Sequence, residues 1–141
     1  MSSTDSTILL DAMDDLRIDQ LLQLFTDVEL TISLPPRTGL VMLTVQDSLG
    51  TTFHVGEVLV TEARVVFGGS EGYGMVTGDA PRRALARAAA DAVLRCPKTT
   101  VVRQGLQALL GEEELRQNQR QAEQAALVAA TKVNFDLMPG A

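Results

Sequence analysis

The sequence is poor in the residues on which catalysis, metal binding and disulfide bonding depend. Its 141 residues include one histidine, one cysteine and no tryptophan. The single cysteine, Cys96, excludes an intramolecular disulfide and is typical of a reducing compartment, so we expect a cytoplasmic protein. One histidine and one cysteine cannot form a zinc site without several carboxylates, so the sequence predicts no metal and no other cofactor.

Excess basic charge and long apolar runs are also missing. The chain has 12 Lys and Arg against 18 Asp and Glu, a net charge of −6. A general nucleic-acid surface needs clustered excess basic charge, so nucleic acid is not a predicted partner. No apolar run approaches the roughly 18 residues of a membrane-spanning helix, so no membrane partner is predicted.

Apolar residues make up 45% of the chain, which suits one globular domain over residues 1–141. We predict an α+β fold in which helices flank an antiparallel sheet of about four strands. The predicted parts are a helical segment at 1–27, the sheet at 28–78, helices at 79–132 and an apolar tail at 133–141. The strand-like segments lie at about 28–34, 39–47, 53–67 and 71–77.

Helix boundaries are predicted from capping residues and glycine. The helical spacing over residues 6–27 is interrupted at Asp14 and Asp15, which predicts two short helices there. An alanine-rich helix is expected at about 80–95, with Asp79 as its N-cap. Gly111 predicts a break between a helix at about 100–110 and a last helix at about 112–132.

A glycine-rich strand precedes the alanine-rich helix. Alternation places Gly72, Gly74, Val76 and Gly78 on one face, and such a bare face permits close approach by a backbone or a ligand. Tight packing of the helix on the sheet is favoured over a phosphate-binding loop. A dinucleotide-binding loop would need glycine where Thr77 stands, and a P-loop lysine is missing from this region.

The candidate ligand- or partner-binding residues are Arg82, Arg83, Arg87 and His54. The arginines concentrate positive charge near a helix start, either as an exposed solvated face or as a docking site for a carboxylate-rich partner or a phosphate. His54 is the only histidine that could serve acid–base chemistry, but a structural histidine in a strand is the simpler interpretation. No catalytic residue is therefore assigned.

The aspartates of the first helices and the apolar tail complete the candidates. The aspartates lack the spacing of a calcium loop and are interpreted as a solvated helix face. An apolar cluster follows the last helix, whose own apolar stripe is thin, so we expect this cluster at a subunit interface. The aspartates are Asp11, Asp14, Asp15 and Asp19, and the cluster is Val133, Phe135, Leu137 and Met138.

Four motifs in order resemble the PhnG family, the small subunit of the bacterial carbon–phosphorus lyase core complex. They are LPPRTGLVMLTV, FHVGEVLVTEARV, EGYGMVTGDAPRRALARAAADAVL and TKVNFDLM, and they cover residues 34–138. The resemblance implies a protein of phosphonate metabolism whose partners are the other lyase subunits. It also implies a role in forming α-D-ribose 1-methylphosphonate 5-triphosphate, a reaction in which a phosphonate displaces adenine from ATP.

The resemblance assigns the displacement chemistry to a separate subunit and an iron–sulfur cluster to another. We therefore expect a non-catalytic subunit of this transferase and lyase system, one that self-associates when isolated. Two alternatives remain open. In one, Arg82, Arg83 or Arg87 contributes to an ATP or phosphonate site. In the other, the chain is an unrelated interaction protein that docks through its helices.

Overall fold

A computed structural model of the chain describes residues 3–132. Within these residues the fold is α+β, and its three strands form one antiparallel sheet in the order β1-β2-β3. None of the described helices has the length and apolar character needed to cross a membrane. The elements are α1 (Ser3–Ala12), α2 (Asp15–Gln23), β1 (Thr31–Gln46), β2 (Thr52–Phe67), β3 (Ser70–Thr77), α3 (Pro81–Arg95) and α4 (Val101–Thr131).

The antiparallel α+β class is confirmed, but over residues 3–132 the sheet has three strands and not about four. The segments predicted at 28–34 and 39–47 are one strand, β1, which stays extended through Pro35 and Pro36. Proline has no N–H to donate, and β1 tolerates it because this edge strand pairs on one side only. The ladder adapts by shifting register on both sides of Leu34.

Two of the predicted helix boundaries are wrong, and one is confirmed. The first helices do separate at Asp14, whose Oδ1 accepts a hydrogen bond from the Arg17 N–H at 2.9 Å. Asp79, however, does not cap α3; the N-cap is Ala80, whose N–H donates to Thr61 Oγ1 at 3.0 Å. Gly111 does not end a helix, because an interior glycine costs only about 1 kcal/mol, and α4 runs through it.

Close packing of α3 on β3 is confirmed at two of the three predicted glycines. A Cβ on Gly74 would lie 2.2 Å from the Ala84 carbonyl oxygen, and a Cβ on Gly72 would lie 2.2 Å from that of Ala88. Only residues without a side chain fit at these contacts. Gly78 differs, since its Cβ would meet nothing within 4 Å in the part of the chain that the structure describes. Its φ of +83° shows a turn that requires glycine for backbone reasons.

The core lies between the sheet, α3 and the remaining helices. Ala63 and Val65 of β2 are buried beneath α3, and Leu21 of α2 and Leu106 of α4 are fully buried in the same cluster. A buried carboxylate also joins α2 to α4: Arg17 Nε lies 2.8 Å from Glu113 Oε2. This ion pair fixes the position of α4 relative to α2, because removal of either partner would leave a buried charge without a counter-ion.

Candidate functional site

The candidate arginines lie on the side of α3 that faces the first two helices. Arg83 Nη1 donates to the carbonyl oxygens of Leu10 and Met13 at 2.8 and 2.7 Å, and its Nη2 donates to Asp15 Oδ1 at 2.9 Å. These carbonyls belong to the end of α1 and the turn after it. Arg83 therefore satisfies backbone acceptors that the helix terminus leaves open.

Arg87 and Arg82 make further contacts with the same helices. Arg87 Nη1 donates to Asp11 Oδ1 at 3.0 Å and also to the carbonyl oxygen of Met75 in β3. Arg82 Nη2 lies 2.6 Å from Asp19 Oδ1 in an exposed pair. Arg82 is thus exposed as expected, whereas Arg83 and Arg87 are mostly covered, with about 18% and 15% of their side chains exposed.

The structure therefore pairs two groups that the sequence interpretation treated separately. Asp11, Asp15 and Asp19 are not only a solvated face, because each one contacts an arginine of α3. The sequence shows the charges of both groups, an acidic helix pair and a basic helix, but it does not show that they pair. Opposite charges at this distance neutralise one another and hold α1 and α2 against α3.

A cavity of about 400 Å³ opens beside this cluster. Asp11, Arg83 and Arg87 give it charges of both signs, and Val60 and Val76 form its apolar wall. An anion could reach the two arginines only by competing with the aspartates and carbonyls that already bind them. The two arginines therefore hold α1, the turn after it and β3 against α3. A ligand could bind them only if it replaced those contacts.

His54 lies far from this cluster. It is exposed on β2, opposite Thr44 of β1, and six residues along the strand from Val60 at the cavity. At about 3.3 Å per residue, that is a separation of about 20 Å. Cys96 is buried at the opposite end of β2, where a Cβ on Gly68 would lie 2.9 Å from its sulfur. The structure therefore groups Arg82, Arg83 and Arg87 on one side of α3 but does not bring His54 to them.

The sequence interpretation missed a projecting hairpin, here called the β1–β2 arm (residues 40–59). β3 pairs with β2 only from Val60 to Phe67, so the arm continues as a two-stranded ribbon beyond the three-stranded sheet. The arm results from a difference in strand length, since β1 and β2 have 16 residues each and β3 has 8. Its exposed large apolar residues are Leu40, Val41, Met42, Leu43, Val45, Leu49, Phe53, Val55 and Leu59.

The second projecting element is the distal part of α4, residues 118–131. Every residue from 118 to 132 is exposed, including Leu127 and Val128. The thin apolar stripe predicted for this helix is therefore exposed to solvent over residues 118–131 in the described part of the chain. The predicted interface cluster Val133, Phe135, Leu137 and Met138 lies outside the described residues and stays a prediction.

A polar network occupies the sheet face opposite α3. Arg37 Nη2 lies 2.7 Å from Glu62 Oε1, and the Tyr73 hydroxyl donates to Glu62 Oε2 at 2.8 Å. These two hydrogen bonds, the Arg37 bond first, lower the pKa of Glu62 below its ordinary value. Partial burial, followed by the bond to Glu62, raises the pKa of Tyr73. Arg64 lies over the Tyr73 ring, 5.5 Å from its centroid.

Comparison with known proteins gives further information on the function of this chain. A family model described as "Phosphonate metabolism protein PhnG" matches residues 5–140. No curated protein gave a significant match. Within residues 3–132, no group of three or more His, Cys, Asp or Glu side chains is arranged to hold a metal ion.

Proposed function

The chain belongs to the PhnG family of phosphonate metabolism proteins, and we propose that it is a non-catalytic subunit of the carbon–phosphorus lyase core complex. In this role it is needed, with its partner subunits, to form α-D-ribose 1-methylphosphonate 5-triphosphate from ATP and a phosphonate. The family match over residues 5–140 is the observation that carries the proposal. It also argues against the interpretation of an unrelated interaction protein.

The two projecting elements support a role in assembly. The β1–β2 arm and the distal part of α4 expose large apolar side chains that a stable monomer would cover. Two-stranded ribbons are marginal in water unless another layer packs on them. Both features are expected of a subunit whose folded surface is completed by its neighbours.

The arginine cluster supports a structural role more than a direct one in chemistry. Arg83 and Arg87 already bind carboxylates and backbone carbonyls of their own chain. His54, the one histidine, lies on the arm and has no part in that cluster. The displacement of adenine is accordingly assigned to a partner subunit.

A second candidate function is favoured by the cavity beside Arg83 and Arg87. In it, assembly moves Asp11 aside and the two arginines bind a phosphate or phosphonate group, as guanidinium groups commonly do. The variant Arg87→Lys keeps the charge but loses the bidentate geometry. A raised KM for ATP or phosphonate in the assembled complex, with assembly unchanged, would favour this second function.

The experiment that tests the proposal is reconstitution with candidate lyase subunits. ATP and methylphosphonate are supplied, and adenine release is measured with and without this chain. The proposal predicts that release depends on the chain when all subunits are present. Equal release by partner subunits that lack the chain would overturn it.

A further inference from the structure

The β1–β2 arm has apolar residues on both of its faces. Side chains alternate along a strand, and residues opposite one another in the ladder share a face. One face therefore carries Leu40 and Met42 with Leu59, which is paired with Leu40, and it also carries the charged Glu57, which is paired with Met42. The other face carries Val41, Leu43 and Val45 with Phe53, which is paired with Val45. About half or more of Leu40, Met42, Leu43 and Phe53 is exposed, at 63%, 57%, 46% and 47%.

Within residues 3–132, both edges of the arm are open as well. Among these residues β1 has no strand neighbour beyond β2, and β2 has none beyond β1 over residues 52–58. Proteins protect such edges with proline and charge, and β1 does so at Pro35, Pro36 and Arg37. From Thr38 to Gln46 the strand has no proline and no charged residue. The protection stops where the arm begins, which indicates that this part of the strand is covered in the working protein.

A second copy of the chain does not supply that cover. Stacking of two arms about a two-fold axis covers one face of each arm and leaves the other face exposed. The apolar groove on the body, lined by residues such as Leu22, Phe25 and Ile32, measures about 350 Å³ and is too small for the arm. Exposed Asp27 and Glu29 lie next to that groove, so a second copy would meet the acidic arm with like charge.

The charges of the arm define the partner further. Between residues 38 and 61 the acidic groups are Asp47 and Glu57, and there is no Lys or Arg. Asp47 lies at the tip of the arm, where its Oδ1 accepts from the Leu49 and Thr51 N–H groups at 2.9 and 2.8 Å. A complementary surface therefore presents apolar walls on two sides, with basic groups facing Asp47 at the tip and Glu57 beside Met42.

We propose that the β1–β2 arm inserts between two apolar walls of another lyase subunit, in a cleft that carries basic side chains opposite Asp47 at the tip of the arm and Glu57 on one of its faces. This inference rests on the proposed function, since it names the surface through which the chain joins the complex. The arm extends from Val60 to Thr52 over about 26 Å at 3.3 Å per residue, long enough to reach well into a neighbour. A cleft would bury the apolar side chains on both faces of the arm, whereas a flat contact would leave those on one face exposed to water.

The test measures the affinity of the full chain for the co-expressed lyase subunits with one variant on each face. Met42→Asp and Leu43→Asp place a charge on opposite faces of the arm, and each is expected to weaken binding by about ten-fold or more. Leu16→Asp is the matched control, because Leu16 is 70% exposed on α2 and away from the arm. Thermal unfolding confirms that each variant is folded.

The outcomes separate this inference from the proposed function. If the unaltered chain does not bind the lyase subunits, the proposed function fails and the inference fails with it. If the unaltered chain binds and only one of the two arm variants weakens binding, the arm makes a one-sided contact and the cleft is excluded. Wild-type affinity in both arm variants would overturn the inference and leave the proposed function standing.

A cysteine probe keeps the inference testable even if a charged variant unfolds. Leu43→Cys adds an exposed thiol to a chain whose only cysteine, Cys96, is buried. Maleimide should label the new thiol quickly in the isolated chain and far more slowly in the complex. Equal labelling in both states contradicts the inference. So does protection in the isolated chain, because a second copy or residues 133–141 would then cover the arm.

Glu57→Lys tests the charge of the cleft opposite Glu57. The reversal should weaken binding, and it should reduce the dependence of the affinity on salt. Unchanged affinity and salt dependence would exclude basic groups opposite Glu57. Tighter binding by the lysine variant would show acidic groups there and contradict the proposal.

Discussion

Two glycines of β3 determine how closely α3 approaches the sheet. A Cβ on Gly74 would lie 2.2 Å from the Ala84 carbonyl oxygen and 2.6 Å from the Ala88 nitrogen, both rigid backbone atoms. We expect Gly74→Ala to destabilise the fold by about 1–3 kcal/mol, because α3 must move away from the sheet. Denaturant unfolding of the variant measures this difference in the free energy of unfolding.

Gly111 provides the matched control for that substitution. A Cβ at Gly111 would meet no other atom of the described residues within 4 Å, and Gly111 lies inside α4. Gly111→Ala is expected to stabilise the protein by about 0.5–1 kcal/mol, because alanine loses less backbone entropy in a helix. Destabilisation by both substitutions, or by neither, would contradict the packing described for α3.

Arg83 and Arg82 differ in what they hold, although they are neighbours in sequence. Arg83 donates to two carbonyls at the end of α1 and to Asp15, whereas Arg82 makes one exposed pair with Asp19. Arg83→Gln should destabilise the protein by about 1–3 kcal/mol, since it leaves partly buried acceptors unpaired. Arg82→Gln should cost at most about 1 kcal/mol. Thermal unfolding measures the stability of both variants. Equal losses of stability would show that the contacts of Arg83 do not hold the end of α1 against α3.

The network at Glu62 predicts a dependence of stability on pH. The pKa of Glu62 is lower in the folded chain than its ordinary value of 4.5, because Arg37 and Tyr73 donate hydrogen bonds to the carboxylate. The stabilisation is therefore complete above that ordinary value and is lost as the pH falls through the folded pKa. Glu62→Gln should remove this loss. An NMR titration of Glu62 in Tyr73→Phe should show its pKa moving back upward, and an unchanged pKa would contradict the network.

The strands and helices show which parts of the fold local sequence patterns determine. The glycine face of β3 and its contact with α3 follow from alternation and side-chain size, so both could be predicted from Gly72 and Gly74. The extent of β1 could not. Pro35 and Pro36 favour a turn locally, and only the position of β1 at the sheet edge lets the strand continue through them.

For the candidate site too, the residues could be predicted from the sequence but their contacts could not. Arg82, Arg83 and Arg87 are recognisable as a basic cluster in the sequence, yet their partners Asp19, Asp15 and Asp11 are 63, 68 and 76 positions away along the chain. No local pattern reports contacts over such separations. The arm was missed for a related reason: its exposed state depends on where β3 ends, which is a property of the sheet and not of residues 40–59.

The end of α4 predicts that assembly and folding can be separated. From Arg120, which reaches Asp14 at 3.8 Å, the helix rises about 16 Å to Thr131 without burying a residue. Deleting residues 132–141 should therefore leave the thermal midpoint nearly unchanged and reduce capture by partner subunits. A truncated chain that melts early but still binds its partners would place these residues in the chain's own core.

The arginines of α3 that were candidates for binding a substrate, Arg82, Arg83 and Arg87, are paired with aspartates of the same chain. We predict that the isolated chain releases no adenine from ATP in the presence of methylphosphonate. Chromatographic detection of adenine checks this, and release that disappears in His54→Ala would show a catalytic role for the chain itself.

Native mass spectrometry of the chain co-expressed with candidate carbon–phosphorus lyase subunits tests the central claim most directly. The account predicts a stable assembly that contains this chain in a fixed stoichiometry and that loses it in the Met42→Asp and Leu43→Asp variants. An assembly of the other subunits that forms and releases adenine without ever retaining this chain would contradict it.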